Sequence, residues 1–233
     1  MKTFTHCRQS WGLCLYPRNM TQVDVSLTDY GLAAECAYFS YVVARRLTGA
    51  SVFPSRFIMF FLSIAIAAAA GGTVHGFFLN EKSLGNLILW RFTLIVIGIT
   101  ALIGIQIGTA LQFSGTTAVY ISRFALAVFL SYIVVVLFLR GDFLVAIIDY
   151  LPALAFMGSG FLVAYRRRKR PMLLVGFLGI CLMLFAAAAQ QAKLGLHPQY
   201  FDHNALYHLL QAIALFMVFL AAREVIKSEE PIN

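Results

Sequence analysis

Charged side chains are scarce in this chain: Asp, Glu, Lys and Arg make up 12% of its 233 residues, against 61% hydrophobic ones. An ordinary soluble domain is about 25% charged, so that class is excluded and a polytopic membrane protein is left. Acidic groups are scarcest, 10 against 18 basic ones. In a soluble chain the net charge of +8 would suggest nucleic acid, but much of the excess here is the single run Arg166–Arg170 between apolar segments. That run reads as a cytoplasmic loop anchor first and a contact for anionic lipid second. The expected partners are membrane lipids, with no nucleic acid.

Cysteine is nearly absent. Of the four, Cys36 and Cys181 fall in apolar segments as small packing residues, and only Cys7 and Cys14, in the N-terminal tail, are placed for a disulfide. Residues 1–25 lack the apolar stretch of a cleavable signal, so the first membrane helix is expected to drive insertion. The tail also carries Asn19-Met20-Thr21, a glycosylation sequon if it faces outward in a suitable host. Connections between apolar segments are short, no linker marks a second domain, and no repeat of fixed period is visible.

What the chain does have is apolar length. A bilayer core needs about 20 apolar residues per helix, and seven segments qualify, near 27–45, 56–79, 87–112, 117–139, 143–165, 172–192 and 204–224. The expected fold is therefore all-α: a seven-transmembrane-helix bundle over 27–224, between an extracytoplasmic tail, 1–26, and a cytoplasmic tail, 225–233. Arg45, Arg46 and Arg56 flank the first connection and Arg166–Arg170 fill the fifth, whereas the second, fourth and sixth carry only Lys82, Arg140 and Lys193. Positive charge marks the cytoplasmic side, which puts the N-terminus outside and the C-terminus inside. A bacterial inner (cell) membrane is the expected location.

Counting along each helix, the polar groups gather at one level. Asp29 and Glu35 lie in the outer half of the first helix, His75 near the outer end of the second, Arg91 one turn into the third and Asp149 two turns into the fifth. Gln190 and Gln191 end the sixth. A charged group at a helix centre costs about 2.5–3.5 kcal/mol on insertion scales, so this clustering implies a shared hydrated cavity that opens outward. Gly72 and Gly76 bracket His75 at small-residue spacing and hold it at a helix crossing. Arg91 is expected to pair with Asp149 or Glu35; Glu35 otherwise binds an ion or stays protonated.

The run His197–Gln211, HPQYFDHNALYHLLQ, holds three of the five histidines. If Asp202 caps the last helix, Asn204, His208 and Gln211 follow on one face, with His203 off that face but in the loose first turn. His75 and His208 are candidate ligands of one metal, with His203 or Asp202 as the third. The alternative is a pair of histidines that hydrogen-bond between helices.

The glutamate of Ala34-Glu35, the histidine near the end of the second helix, and Asp202-x-x-Ala205-Leu206-Tyr207-His208 opening the seventh resemble the CREST superfamily of seven-helix membrane proteins. That group includes alkaline ceramidases, progestin and adipoQ receptors, and lipid-remodelling proteins of GPI-anchored protein maturation. The resemblance implies a zinc held by histidines, whose water, brought toward a pKa of about 7, hydrolyses a lipid amide or ester at the outer leaflet. It makes His75, His208 and His203 the metal set and Asp202 and Glu35 the catalytic carboxylates, in a polar cavity shared with Asn204, Gln211, Arg91 and Asp149. This chain departs from the family pattern at Gly71, where the family has serine, at Asn204, where it has histidine, and in lacking an aspartate soon after His75. A non-catalytic receptor, sensor or small-ligand binder using the same cavity is the alternative function, and a haem protein with His75 and His208 as axial ligands is the third.

Overall fold

The computed structural model describes residues 23–45, 52–197 and 201–228; Cys7, Cys14 and the Asn19 sequon lie outside the described residues. The first helix, α1 (Val23–Ala44), carries its contact surface as a seam. Val25, Asp29, Leu32, Cys36, Phe39 and Val43 recur every three or four residues, and all are buried. One seam per helix suits a bundle of near-parallel neighbours. The helices that follow are α2 (Val52–Phe77), α3 (Leu84–Gln112), α4 (Gly115–Val134), α5 (Phe143–Arg168), α6 (Pro171–Gln191) and α7 (His203–Lys227). A π-helical turn, Val135–Leu139, prolongs α4.

The class is all-helical as expected, the one other pairing among the described residues being an isolated bridge between His197 and Phe201. Six helices, α2 to α7, are long and apolar enough to cross a membrane. The first is long enough as well, at 22 residues, but carries Asp24, Asp29 and Glu35.

Contacts between neighbours run α1–α2–α3–α5–α6–α7 and back to α1, which closes a ring of six helices. The fourth helix stands outside that ring, against α3. Only 17% of its central window is buried against protein, compared with 39–61% for the other five apolar spans, so nearly all its surface is left for lipid. It is fixed to α3 by Tyr132, which is buried, donates its hydroxyl to the Leu94 carbonyl at 2.8 Å and lays its ring over Gly98.

Two features of the ring position the site. Gly72 lets α2 approach α1 closely, since a Cβ there would stand 2.9 Å from the Cβ of Asp29 and 3.2 Å from the Ser26 carbonyl oxygen. Further along the same helices, Phe39, Phe61 and Phe219 pack together, Phe39 stacked on Phe219 at 4.3 Å and edge-on to Phe61 at 5.4 Å between ring centroids. This aromatic cluster joins α1, α2 and α7 below the polar end and belongs to the main apolar core.

Candidate functional site

The ring encloses a cavity of about 340 Å³, within the range of about 300–1,000 Å³ typical of small-ligand sites. All six ring helices contribute to its wall and α4 does not. One end is polar, built from Asp29, His75, Gln190, Asn204, His208 and Gln211; the rest is mainly apolar, with Phe60, Ala101, Gly104, Ala153, Met157 and Leu215 in its wall beside Thr93 and Thr100. From His75 to Phe60 the wall runs about 22 Å along α2 at about 1.5 Å per residue. The space is thus elongated, with chemistry concentrated at one end.

The start of α7 fixes the polar end. Asp202 is its N-cap, its Oδ1 accepting from the amides of Asn204 at 2.8 Å and Ala205 at 3.0 Å, the usual work of a short acidic side chain at that position. Its own amide donates to Asp24 Oδ2 at 3.3 Å, which ties the beginnings of α7 and α1 together. From that cap the helix turns Asn204, His208 and Gln211 into the cavity. Gln190 reaches over from α6 and donates to Asn204 Oδ1 at 3.1 Å, while Gln211 donates to the Tyr207 hydroxyl at 2.6 Å.

At the centre stands a pair of buried groups from different helices. His208 Nε2 lies 3.3 Å from Asp29 Oδ1, and these side chains are 12% and 6% exposed. The other ring nitrogen, Nδ1, is 3.2 Å from Thr28 Oγ1. That hydroxyl has a single hydrogen and directs it to the main-chain oxygens of Asp24 and Val25, both at 2.9 Å. Thr28 therefore accepts, and Nδ1 of His208 carries a hydrogen. The contact between Nε2 and Oδ1 then holds one shared proton, either on the imidazole as an ion pair or on the carboxyl as a neutral pair. The second carboxylate oxygen, Asp29 Oδ2, is buried without a hydrogen-bond partner among the described residues. Buried polar atoms of this kind are rare in folded proteins and call for an explanation.

His75 enters from α2 into the same cavity, edge-on to Trp90 at 6.2 Å between ring centroids. It lies within electrostatic reach of both His208 and Asp202.

The residues expected from the sequence divide into two groups. His75, His208, Asn204 and Gln211 line one cavity; His203, Asp202, Glu35, Arg91 and Asp149 do not. His203 is the first residue of α7, beside the cap, and the carboxylate of Asp202 is engaged in capping. Glu35 falls off the α1 seam, half-buried, with its Oε2 shielded and unpartnered among the described residues. Arg91, expected to pair with Asp149 or Glu35, is exposed and pairs with neither among the described residues; its Nε lies instead beside Gly141 in the α4–α5 connection. A long side chain near a helix end can reach the polar layer without a partner.

No group of three or more His, Cys, Asp or Glu side chains among the described residues is arranged to hold a metal ion. The zinc set implied by the resemblance, His75 with His208 and His203, does not assemble, and His208 has both ring nitrogens engaged. As arranged among the described residues, this set does not fit a zinc centre.

Asp29 is the residue that sequence reasoning passed over as a site residue. The signal for it was there: a lone carboxylate at an apolar seam position, in register with Val25, Leu32 and Cys36, while Glu35 is out of register. Thr28, Tyr150 and Tyr207 had no comparable signal, because hydroxyl-bearing residues are ordinary in such helices.

Residues 25–227, nearly the whole run of helices, match the model of a family of unknown function. No curated protein and no solved structure matches the chain.

Proposed function

The chain belongs to the DUF6962 family, and we propose that it is a seven-helix membrane protein that binds a small amphipathic molecule in its central cavity. The molecule's head would sit at Asp29, His75 and His208, and its single apolar tail would run along the wall toward Phe60 and Met157. The observation that carries this reading is the unpartnered Asp29 Oδ2 at the polar end of a mainly apolar, elongated space. A buried acceptor left unmade costs about 1–3 kcal/mol, which a hydroxyl or amine on the ligand would recover. Asn204 and Gln190 offer further polar groups beside it.

In the proposed topology α1 is the seventh span, the N-terminus lies outside and Arg166–Arg170 lie in the cytoplasm, so that the head group faces the outer leaflet. The warrant is the arginine asymmetry between odd and even connections. Single cysteines placed at Lys193 and at Lys169 and treated with an impermeant thiol reagent from outside should be modified at 193 only; modification at 169 alone reverses the orientation.

Ligand class is tested by thermal shift of the purified protein with three probes of equal chain length, tetradecanol, tetradecylamine and methyl myristate. The alcohol and the amine carry the donor that Asp29 lacks and should raise the melting temperature; a ligand at 100 times its Kd stabilises by about 2.7 kcal/mol. The ester, which has no donor, should shift it far less. Equal shifts from all three would contradict a role for Asp29 in choosing the head group.

Hydrolysis of a lipid amide or ester, the activity that the CREST resemblance implies, is the second reading. The observation in its favour is the 3.3 Å contact between His208 Nε2 and Asp29 Oδ1, a pair able to move a proton to or from a bound carbonyl derivative. Under the binding reading methyl myristate is recovered intact, whereas release of myristate that depends on His208 would favour hydrolysis.

A further inference from the structure

A second, open surface cleft lies at the opposite end of the bundle, where α4 leaves α3. Arg56 of α2, Gln106 of α3, and Ser122 and Arg123 of α4 supply its polar groups, with Val119 and Leu126 beside them. Arg56 is half-buried and donates from Nη1 to the Gln106 carbonyl oxygen at 3.0 Å, which holds its guanidinium in the wall. Arg123 faces the same space from the exposed surface of α4.

Neither arginine has a carboxylate partner among the described residues, and the sequence gives the reason. Among the described residues only Glu224 brings a carboxylate to this end of the helices, and Glu229 and Glu230 lie outside the described residues. Glu224 faces Arg170 at 3.7 Å. A guanidinium taken part of the way out of water without a counter-charge is unfavourable, so the anion is expected from elsewhere.

The position of the cleft says from where. Arg56 stands about 6 Å from the start of α2 and Arg123 about 12 Å from the start of α4 at about 1.5 Å per residue, which is the depth of the headgroup layer and the adjoining edge of the hydrocarbon. The cleft is bounded by the one helix that stands outside the ring, and Val119 and Leu126 on that helix are 47% and 46% exposed. The route in is therefore from the bilayer, along an apolar helix face suited to acyl chains.

We infer that this cleft binds the phosphate of an anionic phospholipid from the leaflet at this end of the bundle. The guanidinium groups of Arg56 and Arg123 would hold the phosphate oxygens through charge-assisted hydrogen bonds, geometry for which arginine is better suited than lysine. Ser122 and the Gln106 side chain add neutral donors, and the acyl chains lie against α4. The site is separate from the central cavity and does not depend on what that cavity holds.

Native mass spectrometry of delipidated protein, titrated with phosphatidylglycerol or with phosphatidylcholine of the same chains, tests this. The wild type should prefer phosphatidylglycerol by about tenfold. Arg123→Gln, at an exposed position that the fold does not need, should lose most of that preference. Arg56→Gln should lose it too, whereas Arg140→Gln, at the opposite end of the bundle where the arginine is paired with Asp142, should keep it. Equal binding of the two lipids by wild type, or an unchanged preference in Arg123→Gln, would overturn the inference. So would full displacement of the lipid by millimolar inorganic phosphate, which would identify a site for the free anion instead.

Discussion

Replacing His208 by leucine should lower the stability of the folded bundle by about 3–5 kcal/mol, the cost of removing one partner from a buried pair. The average interhelical hydrogen bond in a membrane protein is worth only about 0.6 kcal/mol, so the expected loss is several times the ordinary effect. Two circumstances raise it. Asp29 Oδ2 already lacks a partner, and without His208 both carboxylate oxygens would be stranded in a helix seam that is otherwise Val25, Leu32 and Cys36. The histidine also links α7 to α1 through both ring nitrogens, so its loss opens the closure of the ring. Asp29→Leu should be costly for the complementary reason, since it leaves Nε2 with no partner. The double variant Asp29→Leu/His208→Leu should be less destabilised than the sum of the singles by about 0.5–3 kcal/mol. Unfolding of the four proteins in mixed micelles supplies the cycle. Additive losses would mean that the two side chains stabilise the fold independently and that the 3.3 Å contact carries no coupling.

The helical layout was legible because hydropathy reports it directly. The seven segments expected near 27–45, 56–79, 87–112, 117–139, 143–165, 172–192 and 204–224 correspond to α1 through α7. Differences lie at the ends: α2 starts at Val52 and α5 runs to Arg168, since arginines extend a helix beyond its apolar stretch at no cost in water. The order of helices in space was not legible. The fourth helix is as apolar as its neighbours, and apolarity alone does not tell lipid contact from protein contact; only the contacts of Tyr132 and the closure of the ring show that it stands outside.

The site was legible in part for a similar reason. The spacing of Asn204, His208 and Gln211 from a capping aspartate gives their common direction, because a helix fixes which residues share a face. The partner across the cavity depends on which helices meet. Asp29 becomes the partner of His208 because α1 closes the ring against α7, and Gly72 allows α2 to press against the same residue. The departures from the CREST pattern acquire a physical meaning in this setting. Asn204 lines the same cavity as the two histidines and accepts a hydrogen bond from Gln190. Gly71 leaves open the space before Asp29 Oδ2, since a Cβ at that position would stand 3.5 Å from the oxygen.

The central claim is that a molecule occupies the cavity with its head on Asp29 and its tail past Gly104, and Gly104→Leu tests it most directly. Gly104 lines the cavity, and a Cβ there would be in ordinary contact with Met157, Ala153 and Phe60, none closer than 3.8 Å, so a larger side chain takes up room at the apolar end and leaves the polar end untouched. Protein purified in mild detergent from its own membranes would be extracted with organic solvent and the extract measured by mass spectrometry against the amount of chain. The account predicts a near-stoichiometric amphiphile bearing a hydroxyl or amine in the wild type, and most of it missing from Gly104→Leu, with the two proteins melting at the same temperature once both are stripped of the molecule. The same content of that molecule in both proteins, or an extract from the wild type with no such molecule above the detergent background, would contradict it.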